Sequence, residues 1–237
     1  MIDSKTRDRL QQNWQLVQSD VRDAAAHSLR DPDSITIIGV SKYVDAETTL
    51  ALVEVGCTQL GESRPQSLWE KAETLSFGPK VRWHLIGHLQ RNKVRRTLHH
   101  QPLIHSVDSQ RLLQAVAEEA AAQNREISVL LEVNISGDAA KTGFPRNELA
   151  SLLDQLPPSG IRVLGLMAMA GWGTASRDAR RQFDQTRELR DQLARQSGHP
   201  LSELSMGMSG DFREAIAAGA TMVRIGSRLF EGLIDRN

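Results

Sequence analysis

Residues 35–41 have the sequence ITIIGVS and are followed by Lys42. The run is apolar and rich in β-branched residues, and a turn signal, DPDS at 31–34, precedes it. Such a run predicts a buried β-strand. A lysine at the carboxyl end of a buried strand lies where sheets and barrels bind ligands. Partial desolvation there favours the neutral amine, which is a nucleophile for carbonyl compounds. The alternative is that Lys42 only caps the strand and lies in water.

The rest of the chain alternates between strand-like and helix-like segments. Strand-like runs predict strands over 35–41, 58–61, 81–86, 103–107, 127–134, 163–167, 204–206 and 222–225. Helical spacing of apolar residues predicts helices over 4–29, 46–55, 65–74, 91–98, 109–123, 146–155, 177–196, 211–218 and 227–233. This alternation predicts an α/β fold, a single (β/α)8 TIM-type barrel preceded by a long N-terminal helix. An open, doubly wound sheet is the alternative, because 58–61 and 204–206 are short for strands.

The composition is that of a globular protein with no strongly charged surface. The chain has 237 residues, 40% of them hydrophobic, and its 29 basic residues balance 29 acidic ones. This balance gives no indication of nucleic acid or an anionic membrane as a partner. The single cysteine, Cys57, excludes an internal disulfide, and the first residues lack the apolar segment of a secretory signal. We therefore expect one domain over 1–237 and a cytoplasmic monomer with no nucleic-acid or membrane partner.

Two loops rich in small residues follow the last two predicted strands. Residues 207–211 have the sequence GMSGD and residues 226–228 have GSR, and each loop leads into a predicted helix. Small residues let the backbone approach an anion closely, and free N–H groups at a helix start bind it. Ser209 and Ser227 would add hydroxyl donors, and barrels often bind phosphate between these two loops. The alternative is that these residues serve only as turn and N-cap residues.

Arg224 lies within the last predicted strand, between Val223 and Ile225. Side chains alternate along a strand, so Arg224 faces the opposite side from its two neighbours. A buried arginine needs a partner, and an aromatic nitrogen on a ligand would serve, as would an acidic residue between the barrel and the helices. A Schiff-base lysine, a phosphate site and an arginine at a ring nitrogen together indicate pyridoxal 5′-phosphate.

A series of motifs carries a resemblance to a known family. In chain order they are VSK at 40–42, GE at 61–62, HLIGHLQRNK at 84–93, VNIS at 133–136 with KTG at 141–143, GLM at 165–167, LSMGMSGD at 204–211 and TMVRIGS at 221–227. These motifs resemble those of the pyridoxal phosphate homeostasis protein family, and the resemblance covers 35–232.

The resemblance implies a fold like the N-terminal barrel of alanine racemase and pyridoxal 5′-phosphate as the cofactor. It implies Lys42 as the Schiff-base lysine and Arg224 at the pyridine nitrogen. The residues that we predict to bind the cofactor are Lys42, Ser209, Arg224, Gly226, Ser227, His84 and Met208. The family is usually described as a cofactor carrier or regulator without established turnover, which predicts apo-enzymes as recipients of the cofactor.

The chain departs from the family pattern at two positions. Ser63, followed by Arg64, stands where asparagine is common, and its shorter side chain argues against a cofactor contact at that position. Ser227 stands where threonine is common, and the hydroxyl is kept. Neither change removes a residue that the resemblance places at the phosphate.

His84 and His88 are four residues apart, a spacing that on a helix would suit a metal. Here they flank the end of a predicted strand, and no cysteine or carboxylate nearby completes a ligand set. The sequence therefore predicts no metal site, and we assign no catalytic residue.

Two other functions remain open at this point. The first is an amino-acid racemase of the alanine racemase type, using the same cofactor; the second is a cofactor-free aldolase, which leaves Arg224 unexplained. An arginine at the pyridine nitrogen disfavours its protonation, and an unprotonated ring is a poorer electron sink. A racemase also needs a second acid/base group, and the only tyrosine is Tyr43, next to the lysine. These arguments favour intracellular homeostasis or supply of the cofactor without turnover.

Overall fold

Eight parallel strands close into a barrel in chain order. The computed structural model describes residues 2–75, 81–137, 142–157, 159–171, 173 and 175–234. The strands are β1 Thr36–Val40, β2 Gln59–Glu62, β3 Arg82–Leu85, β4 Leu103–Val107, β5 Ile127–Glu132, β6 Ile161–Met167, β7 Glu203–Met208 and β8 Met222–Ile225. The barrel closes where β1 pairs with β8, with Gly39 beside Ile225. The predicted barrel is therefore confirmed, and the open sheet is excluded.

Helices surround the barrel, and a long one precedes it. They are α1 Ser4–His27, α2 Ala46–Glu54, α3 Pro65–Leu75, α4 Val94–Leu98, α5 Gln110–Ala122, α6 Leu149–Asp154, α7 Ser176–Ser197 and α8 Phe212–Ala218, with 3-10 turns at Pro32–Ser34, Arg91–Lys93 and Arg146–Glu148. Within the described ranges, no helix combines the length and apolar character needed to cross a bilayer.

The helix predicted over 227–233 is wrong. Successive turns occupy this stretch, and Leu229 and Leu233 each donate a backbone bond to the carbonyl three residues before, at 2.9 and 3.0 Å. Asn13 of α1 donates from Nδ2 to the carbonyls of Leu229 and Glu231, at 3.0 Å each. These bonds from α1 hold the stretch as successive turns, so a tertiary contact overrides the local helical preference.

Helix α1 lies against the outside of the barrel. Asp3 caps its start by accepting a bond from the Thr6 backbone N–H at 2.7 Å. Leu10, Trp14 and Val17 are buried on one face, at the three- and four-residue spacing of an amphipathic helix. The predicted N-terminal helix thus forms part of the fold's apolar core.

The apolar core has two parts. The larger cluster fills the layer between strands and helices. The smaller one lies apart from it and contains Ile38, Leu103, Leu130, Met167 and Met222. These five residues come from five different strands and pack together in the barrel interior. Polar side chains occupy other interior positions, and they are described with the site below.

The backbone conformation near the end of β7 requires a glycine at position 207. Its φ is +83°, and a Cβ there would lie 2.5 Å from the Ala215 Cβ and 2.9 Å from the Phe212 Cα. We expect Gly207→Ala to lower the free energy of unfolding by about 2–4 kcal/mol, from a left-handed backbone plus overpacking. Denaturant titration measures this, with Gly210→Ala as control because no atom lies within 4 Å of the Cβ position there. Equal stability of the two variants would show that position 207 does not require a glycine.

Candidate functional site

Lys42 lies in the turn that follows β1. The strand ends at Val40, and residues 42–44 turn toward α2. The Lys42 side chain is exposed, and its Nζ lies 4.8 Å from the centroid of the Tyr43 ring. The sequence predicted a partly desolvated amine, which is wrong for this structure because β1 ends at Val40, one residue before the end of the predicted strand, and Lys42 lies in the turn that follows. The amine is held over an aromatic face instead.

The residue before Lys42 is fixed by a buried ion pair. Lys71 Nζ donates to the Ser41 carbonyl at 2.8 Å and to Glu62 Oε1 at 2.5 Å. The Ser41 hydroxyl donates to the same carboxylate oxygen at 2.7 Å. All three residues are buried. The attachment point of Lys42 is therefore rigid, although its side chain reaches solvent.

Sequence reasoning missed Lys71 as part of this site. A signal was present, because Lys71 lies three residues after Leu68, on the face of α3 that is buried. A charged residue on a buried helix face requires an opposite charge within reach. Glu62, at the end of the neighbouring strand, is that charge.

The loops after β7 and β8 meet next to the end of β1. The Gly226 backbone N–H donates to the Ser209 hydroxyl at 3.2 Å, which joins the two loops directly. A Cβ at Gly226 would lie 3.4 Å from the Cβ and carbonyl oxygen of Val40, so this loop also contacts β1. Ser227 is exposed beside them. Because β1 and β8 are neighbours, the structure places Lys42, Ser209, Gly226 and Ser227 on one rim of the barrel.

Arg224 points into the barrel, while Val223 and Ile225 pack in the layer under the helices. Its Nη1 donates to the Ser205 carbonyl at 2.8 Å and to the Ser205 hydroxyl at 2.7 Å, and its Nη2 donates to the Ala168 carbonyl at 3.2 Å. Burial lowers the pKa of Arg224 to about 10, so the guanidinium stays charged at neutral pH. These partners are neutral, so among the described residues no direct ion pair holds it.

His84 and Met208 lie in different surroundings. Met208 ends β7 at the rim, and its side chain is partly exposed. His84 lies inside the barrel with 1% of its surface exposed, and both ring nitrogens have protein partners, Gln59 Oε1 at 2.8 Å and His105 Nε2 at 2.9 Å. His88 is exposed and paired with Asp108 at 3.1 Å. The two histidines therefore lie in different environments, His84 inside the barrel and His88 at the surface.

A cavity of about 530 Å³ opens on the other side of the same end of the barrel, between the ends of β5, β6 and β7. Its lining includes Glu132, Met208 and Asp211, whereas Lys42 and Ser227 lie on the β1–β8 side. Burial raises the pKa of both the Glu132 and the Asp211 carboxyl groups. Thr142 donates to Glu132 at 2.7 Å, and Asp211 accepts from the Met208 backbone N–H at 2.6 Å. Two carboxyl groups therefore line the cavity, and neither Lys42 nor Ser227 lines it.

We expect acid to destabilise the fold through the buried histidines. Burial lowers the pKa of His84 to about 3 and that of His105 well below its usual value, and the Arg82 charge adds to both effects. Below pH 6.5, the usual histidine pKa, the unfolded chain binds more protons than the folded one, so stability falls as the pH falls. Between pH 7 and about pH 5.5 the loss should be about 1 kcal/mol for each ring.

Denaturant titration at the two pH values measures this loss. His88→Gln, which removes an exposed ring, should show the same loss as the wild type. A fold that is equally stable at both pH values would contradict the assignment of neutral buried rings.

Comparison with known proteins places the chain in a family. The family model described as "Alanine racemase, N-terminal domain" matches residues 6–233. A "Pyridoxal phosphate homeostasis protein" of Aquifex aeolicus is 37% identical over 213 residues, which cover 89% of this chain and 92% of that protein. KTG at 141–143 belongs to the motifs that suggested the family, but Lys141 lies outside the described residues.

Solved structures give the same result. A protein described as unknown from Bifidobacterium adolescentis has a TM-score of 0.91 at 31% identity, covering 97% of this chain and 98% of its own. PipY of Synechococcus elongatus, described as having PLP bound, has a TM-score of 0.79 at 33% identity, covering 89% of this chain and 99% of its own. The chain therefore belongs to the pyridoxal phosphate homeostasis protein family.

Proposed function

We propose that this protein binds pyridoxal phosphate on Lys42 and takes part in the intracellular homeostasis and supply of the cofactor, without catalytic turnover. The observation that carries the proposal is the meeting of three loops on one rim, where Gly226 contacts both Val40 of β1 and Ser209. A primary amine and an anion-binding backbone then face one ligand. PipY, 33% identical, is described with PLP bound, and curated relatives are named for pyridoxal phosphate homeostasis.

The residues on the rim fit the functional groups of the cofactor. Lys42 would hold the cofactor, since a primary amine forms a reversible Schiff base with an aldehyde, with loss of water. The hydroxyls of Ser209 and Ser227 provide donors for the phosphate, and Gly226, whose N–H binds Ser209 Oγ, lets the phosphate approach the backbone closely. Arg224 has five N–H donors, of which three are bound within the barrel, so two are left for the pyridine nitrogen among the described residues. Met208 lies at the same rim as a further contact.

The proposal of supply without turnover follows from Arg224. A cationic partner at the pyridine nitrogen keeps the ring unprotonated, and an unprotonated ring stabilises carbanions poorly. Such a cofactor is held and released rather than used. We further propose that the protein is a cytoplasmic monomer of one domain, with apo-enzymes as recipients and no nucleic-acid or membrane partner.

Titration of dialysed protein with pyridoxal phosphate tests the proposal. We expect one equivalent to bind, with the visible absorption of a Schiff base. Mixing the loaded protein with an apo-enzyme that needs the cofactor should then restore that enzyme's activity. Protein that leaves the spectrum of free cofactor unchanged would contradict the proposal.

Exchange of α-protons separates supply from racemase activity. The loaded protein is incubated with each amino acid in deuterated water, and we expect α-deuterium incorporation no faster than with free cofactor. Incorporation at many turnovers per minute would support the racemase.

Loss of either rim hydroxyl should speed cofactor release. Ser209→Ala and Ser227→Ala each remove a hydrogen bond to the phosphate, so we expect roughly tenfold faster release from each. Transfer to excess apo-enzyme measures the rate, and Ser202→Ala, an exposed serine in the loop before β7, is the control. Cofactor release at the wild-type rate from both variants would contradict the proposal that Ser209 and Ser227 bind the phosphate.

A further inference from the structure

A chain of polar side chains crosses the barrel interior and ends on Arg224. It starts at Gln59, the first residue of β2, and continues through His84 of β3 and His105 of β4 to Ser205 of β7. The links measure 2.8 Å from Gln59 Oε1 to His84 Nε2, 2.9 Å from His84 Nδ1 to His105 Nε2, 2.8 Å from His105 Nδ1 to Ser205 Oγ, and 2.7 Å from Ser205 Oγ to Arg224 Nη1. Its members apart from Gln59 are buried.

The two end members of this hydrogen-bonded series, Arg224 and Gln59, determine the direction of each hydrogen bond in it. Arg224 can only donate, so the Ser205 oxygen accepts from it. At the other end the Gln59 oxygen can only accept, so His84 carries its proton on Nε2 and leaves Nδ1 free to accept.

The same reasoning fixes the middle of the chain. His105 donates from Nε2 to His84, and its unprotonated Nδ1 accepts from the Ser205 hydroxyl. If His105 donated from Nδ1 to Ser205 instead, the Ser205 hydroxyl proton would have no acceptor within this hydrogen-bonded series. Both rings are therefore neutral Nε2–H tautomers, in agreement with the lowered pKa of each ring on burial.

This arrangement keeps one positive charge in the interior. Arg224 is the cation, and protonation of either ring would place a second charge in the same chain, inside the barrel. The directed hydroxyl of Ser205 also points an oxygen lone pair at the guanidinium, so its plane is held by three acceptors. Without His105 the hydroxyl proton loses its acceptor, and the hydroxyl is free to turn away from the lone-pair orientation that Arg224 needs.

We infer that His105 and His84 are positioning residues, which act through Ser205 to hold the Arg224 guanidinium in the orientation that meets the cofactor's pyridine nitrogen. The inference rests on the proposed function for its ligand. It also reassigns His84, which acts on the cofactor through Arg224 and has both ring nitrogens occupied by Gln59 and His105. No proton or electron is transferred along the chain.

The first test needs no cofactor. Nitrogen-15 NMR of histidine side chains in the full-length protein should show both rings as neutral Nε2–H tautomers, assigned by His84→Gln and His105→Gln. An Nδ1–H tautomer or a charged ring at neutral pH would overturn the inference. Because the free protein is measured, this result stands or falls separately from cofactor binding.

The second test measures cofactor release and the visible absorption maximum. His105→Leu removes the two hydrogen bonds that His105 makes, to His84 and to Ser205. We expect cofactor release to become roughly tenfold faster and the absorption maximum to shift. His105→Gln, whose amide can accept from Ser205 and donate to His84, should restore most of the wild-type behaviour. Leu130→Ala is the matched control, since Leu130 is a buried apolar side chain of the same barrel interior and cannot form a side-chain hydrogen bond.

Three outcomes separate the explanations. If His105→Leu behaves like Leu130→Ala in release and spectrum, the chain is only structural and the inference fails. If His105→Leu does not fold, Ser205→Ala replaces it, with the same expected change and the same failing result. If wild-type protein binds no pyridoxal phosphate, the proposed function and the positioning role fail together. The histidine NMR spectra of the free protein still test the hydrogen-bond directions in that case.

Discussion

Lys42→Ala is expected to abolish the visible Schiff-base absorption of the protein mixed with pyridoxal phosphate. The side chain is exposed, so its removal should change the free energy of unfolding by less than about 0.5 kcal/mol. The expected loss is complete, because Lys71, the amine next to Ser41, is buried and paired with Glu62. Absorption spectra of wild type and variant at equal protein concentration measure the effect.

Two controls make this result specific. Lys42→Arg keeps the positive charge at the rim but cannot form a Schiff base, so it should lose the band as well. Lys5→Ala, which removes an exposed lysine in the first turn of α1, should keep it. A band that survives in both Lys42 variants would show that another group binds the aldehyde.

Lys71→Met is expected to lower the free energy of unfolding by about 3–5 kcal/mol, because it leaves Glu62 buried without its cation. The Glu62 carboxylate is fully buried, and its second oxygen has no hydrogen-bond partner among the described residues. The Ser41 carbonyl loses a donor in the same variant. Denaturant titration with circular dichroism measures the change.

The double variant Lys71→Met with Glu62→Leu provides the control. It removes both charges, so we expect it to recover most of the lost stability, since an apolar pair of similar volume often replaces a buried ion pair at little cost. If Lys71→Met alone were within about 1 kcal/mol of the wild type, or if the double variant were the less stable one, the pair would not be the buried interaction described here.

The fold could be predicted from local patterns because each strand of a parallel barrel is buried on both faces. Largely apolar runs such as 35–41 and 127–131 therefore stand out from the helices between them, and counting such runs gives the barrel. The stretch 227–233 could not be predicted in this way. Its backbone carbonyls are bound by Asn13, more than 200 residues earlier, and no local pattern contains that contact.

The rim could be predicted because parallel strands present all their carboxyl ends at one end of the barrel. This geometry places Lys42 near Ser227 whatever the details of the loops. The exposure of Lys42 was not predictable, since it depends on where β1 ends to within one residue. Gln59, His105 and Ser205 were also missed, because a strand buried on both faces does not show which residues face the interior, and their pairing depends on strand register.

Chemical trapping tests the central claim most directly. The protein is mixed with one equivalent of pyridoxal phosphate, reduced with borohydride, digested, and mapped by mass spectrometry for the lysine that carries the phosphopyridoxyl group. We predict a single modified lysine, Lys42, with the yield reduced when Ser209 and Ser227 are both replaced by alanine. Modification spread over exposed lysines such as Lys5, or a yield at Lys42 that is unchanged in the double variant, would contradict the account.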